Sequence, residues 1–136
     1  MKATDLMIGD WVKIKEHLDY NKVQEISRDE NMQWYISFAC SATLFRAYEF
    51  EPVPLTPEIL EKNGFGFVKS SDISSVWNGQ WIYEDLELGT CCLNRKGDWP
   101  CFINIDDLNI KCEYVHQLQH ALRLCKLDEL ADNFKI

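Results

Sequence analysis

No stretch of the chain is apolar for anything near the roughly 20 residues that a membrane-crossing helix needs; runs such as Tyr35 to Ala39 are far shorter. The opening Met1-Lys2-Ala3-Thr4-Asp5 has neither the apolar core nor the small-residue cleavage site of an export signal, so a cytoplasmic protein with no membrane association is expected. Positive charge is scarce too. Fourteen Lys and Arg stand against 22 Asp and Glu, a net charge of -8 at pH 7, and no basic cluster is longer than Arg95-Lys96. Affinity for phosphate backbones and anionic lipid comes from clustered cations, so a nucleic-acid partner is disfavoured. Cys-x-x-Cys is absent. The six cysteines are Cys40, Cys91, Cys92, Cys101, Cys112 and Cys125. The adjacent Cys91 and Cys92 would point to opposite sides of a strand, which removes support for a zinc ribbon or a thioredoxin-like redox site. Without export the thiols stay reduced and are expected to pack as small hydrophobes. Gly64-Phe65-Gly66-Phe67 lacks the Lys-Ser/Thr of a phosphate loop and the third glycine of a dinucleotide fingerprint.

What is present describes a globular α+β chain. Its 136 residues, 46% hydrophobic and 26% charged, suit one domain, or two packed subdomains at 1–54 and 55–136. Folding at this size buries about two-thirds of the extended chain's surface, enough for a core without metal or disulfide staples. Alternation over Met7 to Ile14 predicts a strand with Trp11 turned away from Val12 and Ile14, and Lys22–Ile26 and Gln33–Phe38 predict two more. Together they suggest an SH3-like small barrel or curled antiparallel sheet over about residues 6–54. Pro52 and Pro54 cannot donate to a ladder and mark an extended connector. Thr56-Pro57-Glu58 caps and starts a short helix that Gly64 stops. Asn78-Gly79 predicts the tight turn of a hairpin, with Val76, Trp81 and Tyr83 on one face and Trp77 and Ile82 on the other. A further hairpin is expected from Gly89–Leu93 and Trp99–Ile105. From Tyr114 the apolar period becomes helical (Val115, Leu118, Ala121, Leu122, Cys125), giving an amphipathic helix over about 113–126, followed by a fraying end at 133–136.

Four candidate chemistries follow. His116 and His120 lie four apart, with Cys112 four residues earlier, the spacing at which one helix face shares a metal. The residue after the first histidine is Gln117 and not the Glu of a zinc hydrolase, and the helical wheel puts both histidines opposite the Leu118–Cys125 stripe, as solvated surface residues. A thiol nucleophile would need a base brought near it by folding. Acidic clusters at Glu49 and Glu51, at Glu84-Asp85-Glu87 and at Asp106-Asp107 fit strand ends and turns. The excess that stands out is tryptophan: Trp11, Trp34, Trp77, Trp81 and Trp99. Large aromatics serve cores and binding hot spots alike, and Trp77 and Trp99 are the candidates for a partner-binding surface.

Ile8-Gly9-Asp10-Trp11-Val12, then Glu51 to Leu60 with Gly64-Phe65, then Tyr114-Val115-His116-Gln117-Leu118-Gln119 resemble a group of small proteins of gut Bacteroides and relatives associated with prophages and other mobile elements. The resemblance implies a bacterial cytoplasmic origin and brings no activity or cofactor. The leading expectation is a non-enzymatic protein-interaction module. The alternatives are a metal protein or enzyme built on His116 and His120, and a nucleic-acid protein using a KOW-like barrel.

Overall fold

A computed structural model describes residues 2–15, 19–38, 41–71, 77–84, 86–91, 101–105 and 108–136, with the backbone alone at 41, 42, 47, 77, 78, 90, 91, 101, 102, 104, 105, 108 and 109. Two antiparallel meanders follow one another along the chain. The first contains β1 (Trp11–Ile14), β2 (Tyr20–Arg28), β3 (Trp34–Phe38), β4 (Ser41–Arg46) and β5 (Phe50–Pro52), with a 3-10 turn at Ala47–Glu49 before β5. Two three-stranded ladders, β5-β1-β2 and β2-β3-β4, share the nine-residue β2, so the strands run β4-β3-β2-β1-β5. A register shift at Val23/Glu25 bends β2 where one ladder passes into the other.

The bend encloses a core. Val12, Ile14, Val23, Ile36, Phe38 and Phe50 turn inward with Ala3 and Leu6. Phe45 of β4 stands 6.1 Å from Phe50 of β5, ring centre to ring centre, and Phe38 lies 5.5 Å from each. The edges meet through side chains, but no ladder joins β4 to β5 among the described residues, so the sheet is curled and does not close into a barrel.

The connector leads into α1 (Pro57–Lys62). Thr56 Oγ1 accepts from Ile59 N at 3.4 Å, and the helix ends as its sequence predicts, with Gly64 at φ 85° and Phe65 N donating back to Leu60 O. The second meander, β6 (Gly66–Lys69), β7 (Trp77–Tyr83), β8 (Leu86–Cys91), β9 (Cys101–Ile105) and β10 (Leu108–Cys112), keeps its strands in chain order. Then come α2 (Val115–Leu124) and α3 (Asp128–Asp132), separated where Lys126 takes φ 61°. A second hydrophobic cluster, from Val53 to Phe134, fills the space between this sheet and α2.

The Asn78-Gly79 turn does not form. β7 runs through both residues, and Gly79 pairs with Lys69 on one side and Thr90 on the other. The hairpin turns instead at Glu84, which takes φ 52° between the partners Tyr83 and Leu86. Tertiary packing overrides the local turn preference: Phe67, Trp81, Leu88, Ile103 and Ile110 form one register row across the sheet, and Trp81, Leu88 and Ile103 are buried in it. Trp81 and Tyr83 face this core as their spacing predicts. Gly79 serves close approach, because a Cβ there would sit 2.5 Å from Phe67 Cζ and 2.6 Å from Val68 O. Gly79→Ala is expected to cost about 1–3 kcal/mol by overpacking. Urea titration checks this, and a loss under about 0.5 kcal/mol would refute the close-approach role.

The end of the chain departs from expectation as well. Phe134 is 1% exposed in the second core, and Asn63 ties the tail by accepting from Lys135 N at 2.8 Å and donating to Lys135 O at 2.7 Å. One buried aromatic anchors a segment whose polar neighbours predict fraying.

Candidate functional site

α2 carries two stripes. Val115, Leu118, Ala121 and Leu122 bury against the second sheet. His116, Gln119, His120 and Arg123, at spacings of three and four, form a polar stripe beside them, and the turn ahead of β1 covers it. His116 is 5% exposed and Gln119 fully buried, so the expected solvated histidine face is corrected: the first sheet occupies the side of the helix that a wheel alone assigns to water.

The turn from Met7 to Trp11 is built to meet that stripe. Gly9 takes φ 90°, and a Cβ there would come within 3.0 Å of the Arg123 guanidinium. Asp10, completely buried, accepts from Met7 N at 2.8 Å and His120 Nε2 at 2.7 Å on one oxygen, and from Arg123 at 3.0 Å on the other. Because a carboxylate only accepts, this contact places a proton on His120 Nε2. Arg123 also donates to Ile8 O at 3.3 Å and pairs with Asp132 at 3.2 Å. Gln119 completes the joint. Its Oε1 accepts from Trp11 N at 3.1 Å, while Nε2 donates to Gly9 O at 3.0 Å and Ala131 O at 2.9 Å. The Trp11 indole donates to Phe134 O at 2.7 Å, and Lys22 lies over its ring and donates to Asp132 O.

His116 is the odd member. Its ring stacks on Tyr114 and stands edge-on to His120, at 5.9 Å in both cases, and Nδ1 has no hydrogen-bond partner among the described residues. Burial holds this imidazole below the usual histidine range, with the Asp10 charge acting in the opposite direction.

The other candidates do not join this cluster. Cys112 is buried on β10 with Sγ 3.8 Å from Ile110 O, and no three His, Cys, Asp or Glu side chains among the described residues are grouped to hold a metal. Glu49 accepts from the Arg46 backbone N–H, Glu87 faces Gln80 at 3.2 Å, and Asp85, Asp106 and Asp107 lie outside the described residues. Trp77 lends its backbone to β7, paired with Cys91; its side chain, and Trp99 entirely, lie outside the described residues. Trp81 is buried, while Trp11 and Trp34 are half-buried against the two cores.

An aromatic surface does exist, on residues that sequence reasoning passed over. Ile36 and Phe45 point into the first core, so Tyr35 and its cross-strand partner Arg46 share the outer face with Leu44, two residues along β4. Arg46 donates to the Tyr48 hydroxyl at 3.2 Å, and this phenol, followed by that of Tyr35, holds the guanidinium's proton more firmly than usual. Leu44 is 54% and Tyr48 61% exposed. The signal was the alternation of β4 itself, readable only once its pairing with β3 showed which face is covered.

Set against known proteins, the chain matches no family, no curated sequence and no solved structure. No helix among the described residues is long and apolar enough to cross a membrane.

Proposed function

We propose that this protein is a non-enzymatic interaction module that docks a protein partner on the outer face of β3 and β4. The exposed Leu44–Arg46–Tyr48 surface, with Tyr35 beside it, carries the reading. Tyrosine supplies contact area at low cost in side-chain entropy, and the hydrogen bond from Arg46 to Tyr48 at the end of β4 pairs two residue types enriched in binding hot spots. The polar groups around Asp10 and Gln119 are meanwhile engaged in joining the two halves. We read the first sheet as an SH3-like framework on its strand order and the 3-10 turn before β5, and the cellular setting as the cytoplasm of a bacterium carrying a mobile element, following the resemblance of the three sequence blocks.

Leu44→Ser with Tyr48→Ala is expected to leave the melting temperature within about 2 °C, since surface changes usually lie within about 0.5 kcal/mol. The same pair is expected to weaken partner binding at least tenfold. Affinity capture followed by titration of the recovered partner checks this, and equal affinity of variant and native protein would refute the docking face.

A further inference from the structure

The joint between the two sheets holds a buried imidazole, that of His116, whose hydrogen bonding is incomplete among the described residues. His116 is 5% exposed, its Nδ1 lacks a partner among the described residues, and its ring packs on those of Tyr114 and His120. A proton on that ring would add a donor and a charge at a buried position, and both are costly when unmatched. We propose that His116 is an acid-operated release: when its ring takes up a proton, α2 lets go of the Met7–Trp11 turn, and the halves part there while each keeps its own core.

Two observations support a local opening. The first core draws its buried residues from positions 3 to 50 and the second from 53 to 134, so parting the seam withdraws the half-buried Trp11 ring from the second core and leaves the buried residues of both in place. The backbone pairing of Val53 with Val115, Leu55 with Glu113 and Pro54 with Tyr114 lies beside the seam and can serve as its hinge. The groups facing His116 divide by sign. Asp10 from the turn before β1 and Asp5 from the 3-10 turn Ala3–Asp5 favour its charged form, whereas His120 on the same helix opposes it. Tyr114 stacks on the ring, and Arg123 sits across Asp10. Burial outweighs these charges and makes the closed form a weaker proton acceptor than a free imidazole.

The sign follows from linkage. An open seam returns His116 to an ordinary value of 6.5, above its value in the closed form. Well above pH 6.5 neither form is protonated and pH has no effect; as pH falls through 6.5 toward the closed-form value, the open form takes up the proton first. The opening equilibrium then grows by up to about tenfold per pH unit.

Hydrogen exchange followed by NMR tests this on the whole chain, comparing the Trp11 indole N–H with the amides of Ile36 and Leu88 inside the two sheets. After correction for intrinsic exchange, protection at Trp11 should fall as pH drops below 6.5, by at most about tenfold per pH unit, while the two core amides hold. His116→Phe, which keeps the stacked ring and cannot titrate, should remove that slope. The proposal is overturned if all three sites lose protection together, or if His116→Phe keeps the native slope. Titration of the His116 ring in the native protein gives a second measurement independent of any variant: a midpoint below 6.5 supports the release, and one at or above 6.5 overturns it.

Discussion

Asp10→Ala should cost about 3–5 kcal/mol, the range for removing one partner from a buried ion pair, and lower the melting temperature by on the order of 10–20 °C. The carboxylate is completely buried, whereas the Arg123 side chain is 14% exposed. Deleting Asp10 would leave a nearly buried guanidinium, the His120 N–H and the Met7 amide without their shared acceptor. Net worth and removal cost are different quantities here, because desolvation of the charges offsets much of their attraction. Asp10→Asn with Arg123→Met should therefore lose clearly less than the sum of the two single changes. Chemical denaturation of the four proteins measures the coupling. A loss below about 1 kcal/mol for Asp10→Ala would mean that the pair does not hold the halves together.

Gln119→Leu should cost about 3 kcal/mol although it replaces a polar side chain by an apolar one of similar size in a buried position. Its amide answers three backbone groups from two distant segments: Trp11 N–H, Gly9 C=O and Ala131 C=O. Each orphaned group costs about 1–3 kcal/mol, least where a carbonyl relaxes toward another donor. Leu118→Ala, one position away, gives the comparison, since its loss is the cavity cost of about 2–5 kcal/mol and leaves the seam's hydrogen bonds alone. Protection of the Trp11 amide should collapse in Gln119→Leu and follow only global stability in Leu118→Ala. Equal local protection in the two variants would show that the amide contributes packing alone.

Much of the fold was legible residue by residue. Thr56, Pro57 and Gly64 act through backbone geometry within one turn of helix, so the bounds of α1 could be read directly. The alternation of Val12 and Ile14 against Trp11 likewise states which side of β1 is buried. Asn78-Gly79 misled because its turn preference is worth little beside a strand paired on both edges. His116 and His120 misled for a related reason: a helical wheel shows that a stripe is polar, not whether another part of the chain covers it. Asp10 gave no signal of its own, since an aspartate beside glycine reads as a turn until its partners 110 and 113 residues away are in place.

By itself the sequence determined the α+β class, the buried side of β1, the capped helix, the apolar stripe of α2 and the acidic balance, all set by neighbours within a few residues or by composition. Tertiary structure alone decided that the Gly9-Asp10-Trp11 and His116–Arg123 segments form one joint, that the sheet curls without closing, and that Leu44, Arg46 and Tyr48 are exposed beside the half-buried Tyr35. Burial is a property of pairs of surfaces. Local pattern specifies one surface of each pair, and the fold supplies the other.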